Sequence, residues 1–162
     1  MRYVIREKFF RLTEDSEITD EVGQPVFEVA GKFASLHHQL VMRDMSGNEV
    51  ATVRQQLVAL RPTFEITRAG QELAEVRKKL FSPFIDRYTI DIPGPDDLEV
   101  TGSIFEHDYT ISRQGATVAT VSKAWISLTA TYGVDIDGGE DDALLLACVL
   151  TLDLVEDEEH HS

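Results

Sequence analysis

Apolar and polar residues alternate along most of this chain in short stretches, and the alternation returns at a nearly constant interval marked by glycine. With Gly23, Gly47, Gly70, Gly94 and Gly115 as origins, the fourth and sixth residues onward are Phe27/Val29, Ala51/Val53, Ala74/Val76, Leu98/Val100 and Ala119/Val121. All are apolar, and the residue between each pair is Glu28, Thr52, Glu75, Glu99 or Thr120. A period of two is that of a strand with one dry and one wet face. Six and four positions before three of these glycines stand Phe64/Ile66, Tyr88/Ile90 and Tyr109/Ile111, aromatic then β-branched, which are strand formers. Ile18 and Met42 sit one position out of phase before Gly23 and Gly47, as a longer turn would require. Each glycine therefore marks a turn between antiparallel strands, where positive φ is often needed. Five hairpins in series predict ten strands, and the segments Tyr3 to Phe10 and Thr131 to Ile136 read as one more at each end, about twelve in all.

After Gly138-Gly139 the pattern changes. Glu140, Asp141 and Asp142 precede Ala143-Leu-Leu-Leu-Ala-Cys-Val-Leu150. Acids in a first turn complement the helix dipole, and Ala and Leu are the strongest helix formers, so a helix is expected over about 140–155. Apolar residues circle its axis completely, and a helix with no polar side must be buried on every side. At 1.5 Å per residue the roughly 14-residue segment is about 21 Å long, close to the height of a barrel of six-to-eight-residue tilted strands. A barrel of about twelve strands is too wide for its own side chains to fill, since about eight already reach that limit. The expected fold is therefore mainly β, a closed antiparallel barrel of about twelve strands around a central hydrophobic C-terminal helix. Five ordinary hairpins of a β-sandwich would leave the same strand pattern, but they give the helix no place.

The Gly-x-x-x-Ala-x-Val turns, the N-terminal Tyr3-x-Ile5-x-x-Lys8-Phe9-Phe10 segment and the closing Asp141-Asp-Ala-Leu-Leu-Leu-Ala147 run together resemble a bacterial member of the LURP-one-related family. That family is related to Tubby C-terminal domains and phospholipid scramblases, and the resemblance implies a twelve-stranded barrel around a central helix. It covers nearly the whole chain. One domain is expected over 1–156, with 157–162 as an acidic, disordered tail.

Composition narrows the function. With 43% apolar residues, 162 residues are enough for one packed domain. The formal charge of −14 argues against nucleic-acid binding. Ten of the acids lie from Asp135 onward with no Lys or Arg among them, so the first 134 residues carry 19 acids against 15 bases, or −4. Cys148 is the lone cysteine, which suits the reducing cytoplasm, and on a buried helix it reads as a small hydrophobe. The N-terminus lacks the apolar run of a secretory signal, and the longest apolar stretch, Ala143 to Leu152, is shorter than the ~20 residues that span a bilayer.

Catalytic signatures are lacking, and no cofactor is expected. The run Asp135-Ile-Asp137-Gly-Gly-Glu-Asp-Asp142 suggests calcium, but an EF-hand loop wants Gly sixth and Glu twelfth, where Glu140 and Leu146 stand. A turn leading into an acidic helix start accounts for the same residues. The pairs His37-His38 and His160-His161 point to opposite faces if extended and so chelate poorly. The best candidate is a basic segment, Arg54, Arg61, Arg68, Arg77, Lys78, Lys79 and Arg87, against four acids in the same span. By resemblance to Tubby domains, which bind phosphoinositide headgroups through barrel Lys and Arg, Arg54, Arg61, Arg68, Arg77, Lys78 and Lys79 form a candidate anion site. Solvated charges scattered over strand faces would read the same way. The expected function is a non-enzymatic binding module for an anionic lipid headgroup, an inositol phosphate or a protein partner, with peripheral membrane contact at most. The alternative is a metal-dependent hydrolase built on the acidic cluster 135–142, with Asp135 and Asp137 as ligands.

Overall fold

The computed structural model describes residues 1–7, 9, 15–32, 39–56, 63–78, 88–93, 97–126 and 128–161. The first six strands are β1 (Arg2–Arg6), β2 (Ser16–Asp20), β3 (Pro25–Lys32), β4 (Gln39–Asp44), β5 (Glu49–Gln55) and β6 (Thr63–Arg68). Then follow β7 (Gln71–Lys78), β8 (Tyr88–Asp91), β9 (Leu98–Ser103), β10 (Asp108–Arg113), β11 (Ala116–Ser122) and β12 (Thr131–Ile136), and finally the helix α1 (Asp142–His161). Each strand pairs antiparallel with its sequence neighbours and β1 closes on β12, so the sheet is a closed barrel of twelve strands without an edge.

The glycine repeat maps onto this barrel almost residue for residue. Nine of the ten repeat positions are buried, and Phe27, half-buried, packs its ring 6.2 Å from that of Tyr3. Ile18 and Met42, out of phase in sequence, are buried with the others. Their turns are indeed longer: Asp20 Oδ1 accepts the Val22 and Gln24 amides, and Asp44 Oδ1 accepts those of Ser46 and Asn48, all at 2.9–3.0 Å. The turns Ala69-Gly70 and Gln114-Gly115 have just two residues, both with positive φ, the geometry that matches the twist of a hairpin. All four of these hairpins carry a bulge at the same place, leaving Val26, Val50, Leu73 and Val118 as the extra residue.

The helix fills the barrel. Every residue from Ala143 to Glu156 is buried, and α1 lies nearest β5, which presents Ala51, with β6, β7 and β12 next. It starts at Asp142 rather than 140, because Asp141 is the cap: its Oδ1 accepts the Leu144 amide at 3.1 Å. It does not stop near 155 either. The acidic residues expected as a disordered tail from 157 continue the helix to His161, and 162 lies outside the described residues. The strand expected to reach Phe10 ends at Arg6.

Because strands alternate in direction, the two ends of the barrel differ. At one, the turn end, lie the turns at Gly23, Gly47, Gly70 and Gly115 and the start of α1, while Gly94 lies outside the described residues. At the other, the loop end, lie the connections that follow β1, β3, β5, β7, β9 and β11, and the C-terminal half of α1. The connection after β11 folds back over the outer face. A Cβ on Gly133 would meet the Trp125 ring at 2.8 Å, and the Arg2 guanidinium lies 4.8 Å from the centre of that ring.

Candidate functional site

At the turn end four of the five acids of the 135–142 cluster are engaged by the barrel. Arg68, last residue of β6, makes a two-pronged pair with Asp141, Nη1 to Oδ2 at 2.9 Å and Nη2 to Oδ1 at 3.0 Å, while its Nε donates to the Val50 carbonyl at 2.8 Å. One guanidinium thus ties β5, β6 and the helix cap together. Burial alone would raise the Asp141 pKa, but Arg68 and the Leu144 amide outweigh it and hold the carboxyl below its ordinary value. Arg113 pairs with Glu140, the Tyr3 hydroxyl donates to Asp142, and Asp135 lies 3.6 Å from Arg2 and 3.9 Å from the N-terminal ammonium. Asp137 is exposed. The pair offered as metal ligands, Asp135 and Asp137, therefore includes one carboxylate already engaged by two cations. Among the described residues no group of three or more His, Cys, Asp or Glu is arranged to hold a metal ion.

The loop end holds a polar cluster that the sequence pattern did not reveal. Asp153 and Glu156 sit on α1 at 7% and 6% exposure, deep for carboxylates. They meet tyrosines from the first or second positions of β8, β10 and β12. The Tyr132 hydroxyl donates to Asp153 Oδ2, and the Tyr88 hydroxyl donates to Glu156 Oε2 at 3.0 Å. Between those strands stands Tyr109, whose buried hydroxyl has no hydrogen-bond partner among the described residues. Burial, with the charge of Asp153 added, holds the Tyr109 and Tyr132 phenols neutral, well above their ordinary pKa. His107 stacks on Tyr132 with ring centres 4.1 Å apart, its Nε2 3.3 Å from Asp153 and its Nδ1 3.8 Å from Glu7. Glu7 also pairs with Lys123, so this cluster gathers the helix, the end of β1 and two loop-end connections.

The basic candidates are divided. Arg68 is at the turn end on Asp141, at the opposite end from Arg54, Arg77 and Lys78. Arg77 and Lys78 end β7, and Arg54 lies one residue from the end of β5, all at the loop end. Arg77 is held by Glu75 and, through Nε at 3.1 Å, by Asp91. Arg54 is exposed, with no ion pair among the described residues. Arg61, Lys79 and Arg87 lie outside the described residues, as do His37 and His38. Cys148 is buried and unpaired, and burial pushes its thiol up to about 12, so it is an inert core group.

No helix among the described residues is long and apolar enough to cross a membrane. A family model described as LURP-one-related matches residues 1–153. The uncharacterized protein YxjI of Bacillus subtilis (strain 168) is 30% identical over 151 residues, covering 93% of this chain and 91% of YxjI. An X-ray structure of a protein from Arabidopsis thaliana shares the fold, with a TM-score of 0.70, 21% identity, and coverage of 96% of this chain and 90% of that one.

Proposed function

The chain belongs to the LURP-one-related family, and from that premise we propose that it is a non-enzymatic binding module for anionic phosphate headgroups. Phospholipid headgroups and soluble inositol phosphates share that chemistry. The contact face is the loop end around the last residues of β5 and β7, and a reducing, cytoplasmic setting accords with the buried thiol of Cys148. The observation that carries the reading is that α1 occupies the lumen from Ala143 to Glu156, which leaves only the outer surface and the ends for a ligand. In support, Arg54 near the end of β5 and Arg77 and Lys78 at the end of β7 fall at the loop end, on strands separated by β6, and the sequence continues from those strands into Arg61 and Lys79. Phosphate binding by such a surface is electrostatic and salt-sensitive.

The test has two arms, each on the full chain. Inositol hexakisphosphate is titrated by calorimetry, and sedimentation is measured with phosphatidylcholine vesicles with and without phosphatidylinositol bisphosphate. Binding in both arms, lost in Arg54→Glu/Lys78→Glu, supports the headgroup reading. Binding to the soluble phosphate alone assigns it to a free ligand. Silence in both arms overturns it and leaves a protein partner, to be sought by capture from lysate.

A further inference from the structure

We infer that Phe105 and Leu128 form a hydrophobic anchor by which the loop end enters the interfacial layer of a phospholipid membrane. This rests on the headgroup reading above and commits it to a lipid surface. Five large apolar side chains are exposed among the described residues. Met1, Val22 and Met45 are at the turn end, where Asp20, Glu21, Asp44 and Glu49 flank the last two in their hairpins and would be repelled by an anionic surface. The other two, Phe105 and Leu128, each 65% exposed, are at the loop end. Both ride on closed turns. Phe105 is a central residue of the four-residue turn between β9 and β10, closed by the His107 amide on the Ile104 carbonyl at 3.0 Å and by the Glu106 amide on Ser103 Oγ at 3.2 Å. Ile104 is buried, so this turn sends one apolar side chain into the core and the next into solvent. Leu128 opens the turn that enters β12, and its carbonyl accepts the Thr131 hydroxyl at 2.9 Å.

Glu7 joins the two turns. Its amide donates to the Ala130 carbonyl at 2.9 Å, while its carboxylate pairs with Lys123 and lies 3.8 Å from His107 Nδ1. His107 in turn stacks on Tyr132 and reaches Asp153 on the helix. The loop-end cluster therefore fixes both turns relative to each other and to α1, so the two tips are presented with little left to order on binding. At a membrane interface, binding grows with the apolar area buried and with the attraction of bases to anionic lipids. The two contributions fall on different arcs of this barrel end. Glu106 and Asp108 beside Phe105 are exposed acids, so the β9–β12 arc supplies the apolar grip, and the attraction comes from the ends of β5 and β7. A soluble inositol phosphate has no apolar part for Phe105 and Leu128 to meet.

The experiment compares the full chain with Phe105→Ser/Leu128→Ser and with the apolar control Phe105→Leu/Leu128→Met in both arms described above, after matched thermal midpoints show that the fold is intact. Phe105→Ser alone serves if the double variant is destabilised. The serine variant should sediment with bisphosphate-containing vesicles roughly tenfold more weakly, bind inositol hexakisphosphate as the parent does, and differ from the apolar control, which keeps vesicle binding. Equal sedimentation of parent and serine variant overturns the anchor and leaves the headgroup reading standing. Loss of vesicles and soluble phosphate together also overturns it, because the pair then serves the phosphate site. A parent chain that binds the soluble phosphate but no vesicles overturns the anchor and assigns the headgroup reading to a free ligand. Sedimentation with vesicles lacking the bisphosphate, lost in the serine variant and with no response to either phosphate, supports the anchor and sinks the headgroup reading. Binding to neither probe ends both.

Discussion

The two ends of the barrel hold the same helix by opposite chemistry. At the turn end, Arg68 and Arg113 meet Asp141 and Glu140 as ion pairs that remain partly exposed, with Arg68 at 36% and Asp141 at 40%. At the loop end, Asp153 and Glu156 are buried, and neutral phenols do much of the work. Exposed pairs gain little in water and are screened by salt, whereas a buried carboxylate that loses a donor pays its full desolvation cost. The helix start is therefore positioned by partly exposed, charge-assisted pairs together with the Tyr3 hydroxyl on Asp142, and its far half by hydrogen bonds from phenols in a dry setting.

Both ends depend on the apolar middle, and the largest effect is expected there. Leu145 is 1% exposed, and Leu145→Asp places an unpaired charge inside the barrel at a cost of several kcal/mol against a total stability of roughly 5–15. The variant should not give a cooperative thermal transition. Next comes Tyr132→Phe, which strips Asp153 of a donor and should destabilise by about 1–3 kcal/mol in urea titration, equally at low and high salt. Arg68→Ala removes the two-pronged pair at the turn end. Its loss, about 1 kcal/mol at low ionic strength, should shrink in 1 M NaCl, and a salt-independent loss would erase the contrast between the ends. Tyr109→Phe should be neutral to stabilising, by up to about 1 kcal/mol in the same titration, because it removes a buried hydroxyl that has no hydrogen-bond partner among the described residues.

The turn end also predicts the response to acid. The folded pKa of Asp141 is depressed, so its contribution is fully present above the ordinary carboxylate value of 3.8 and is lost as pH falls through the lower folded value. Between the two values the parent chain should lose stability with falling pH more steeply than Asp141→Asn. Parallel curves in that window would show that the Arg68 contact contributes nothing to the acid response.

Much of this was readable before the fold was known, because strand alternation and the all-round apolar helix are local signals. The repeat even contained a further position: three residues after Gly23, Gly47, Gly70 and Gly115 stand Val26, Val50, Leu73 and Val118, the bulge residues. A bulge adds a residue without breaking the alternation on either side, so a period-two search passes over it. The loop-end cluster was hidden for a different reason. Asp153 falls inside the expected helix and Glu156 just past its end, but the apolar run that marks the helix as buried closes at Leu152, so neither acid announces itself as a core group. The available signal was the tyrosine six residues before Gly94 and Gly138, Tyr88 and Tyr132, since a buried phenol usually finds a partner for its hydroxyl, although Tyr109 in the equivalent place before Gly115 has none among the described residues. The basic segment could not be sorted from sequence, because Arg68 and Arg77 find their acids on other elements, Asp141 on the helix cap and Asp91 on β8.

The claim beneath both ends is that the helix is enclosed by the sheet and leaves it only when the sheet opens. Native-state hydrogen exchange on the amides of Leu146 to Val155 tests this most directly. These amides should exchange only with global unfolding, with the same free energy and denaturant dependence as Ile66 and Val76 in the barrel wall. Exchange of the helix by a smaller opening, while β6 and β7 stay protected, would contradict it.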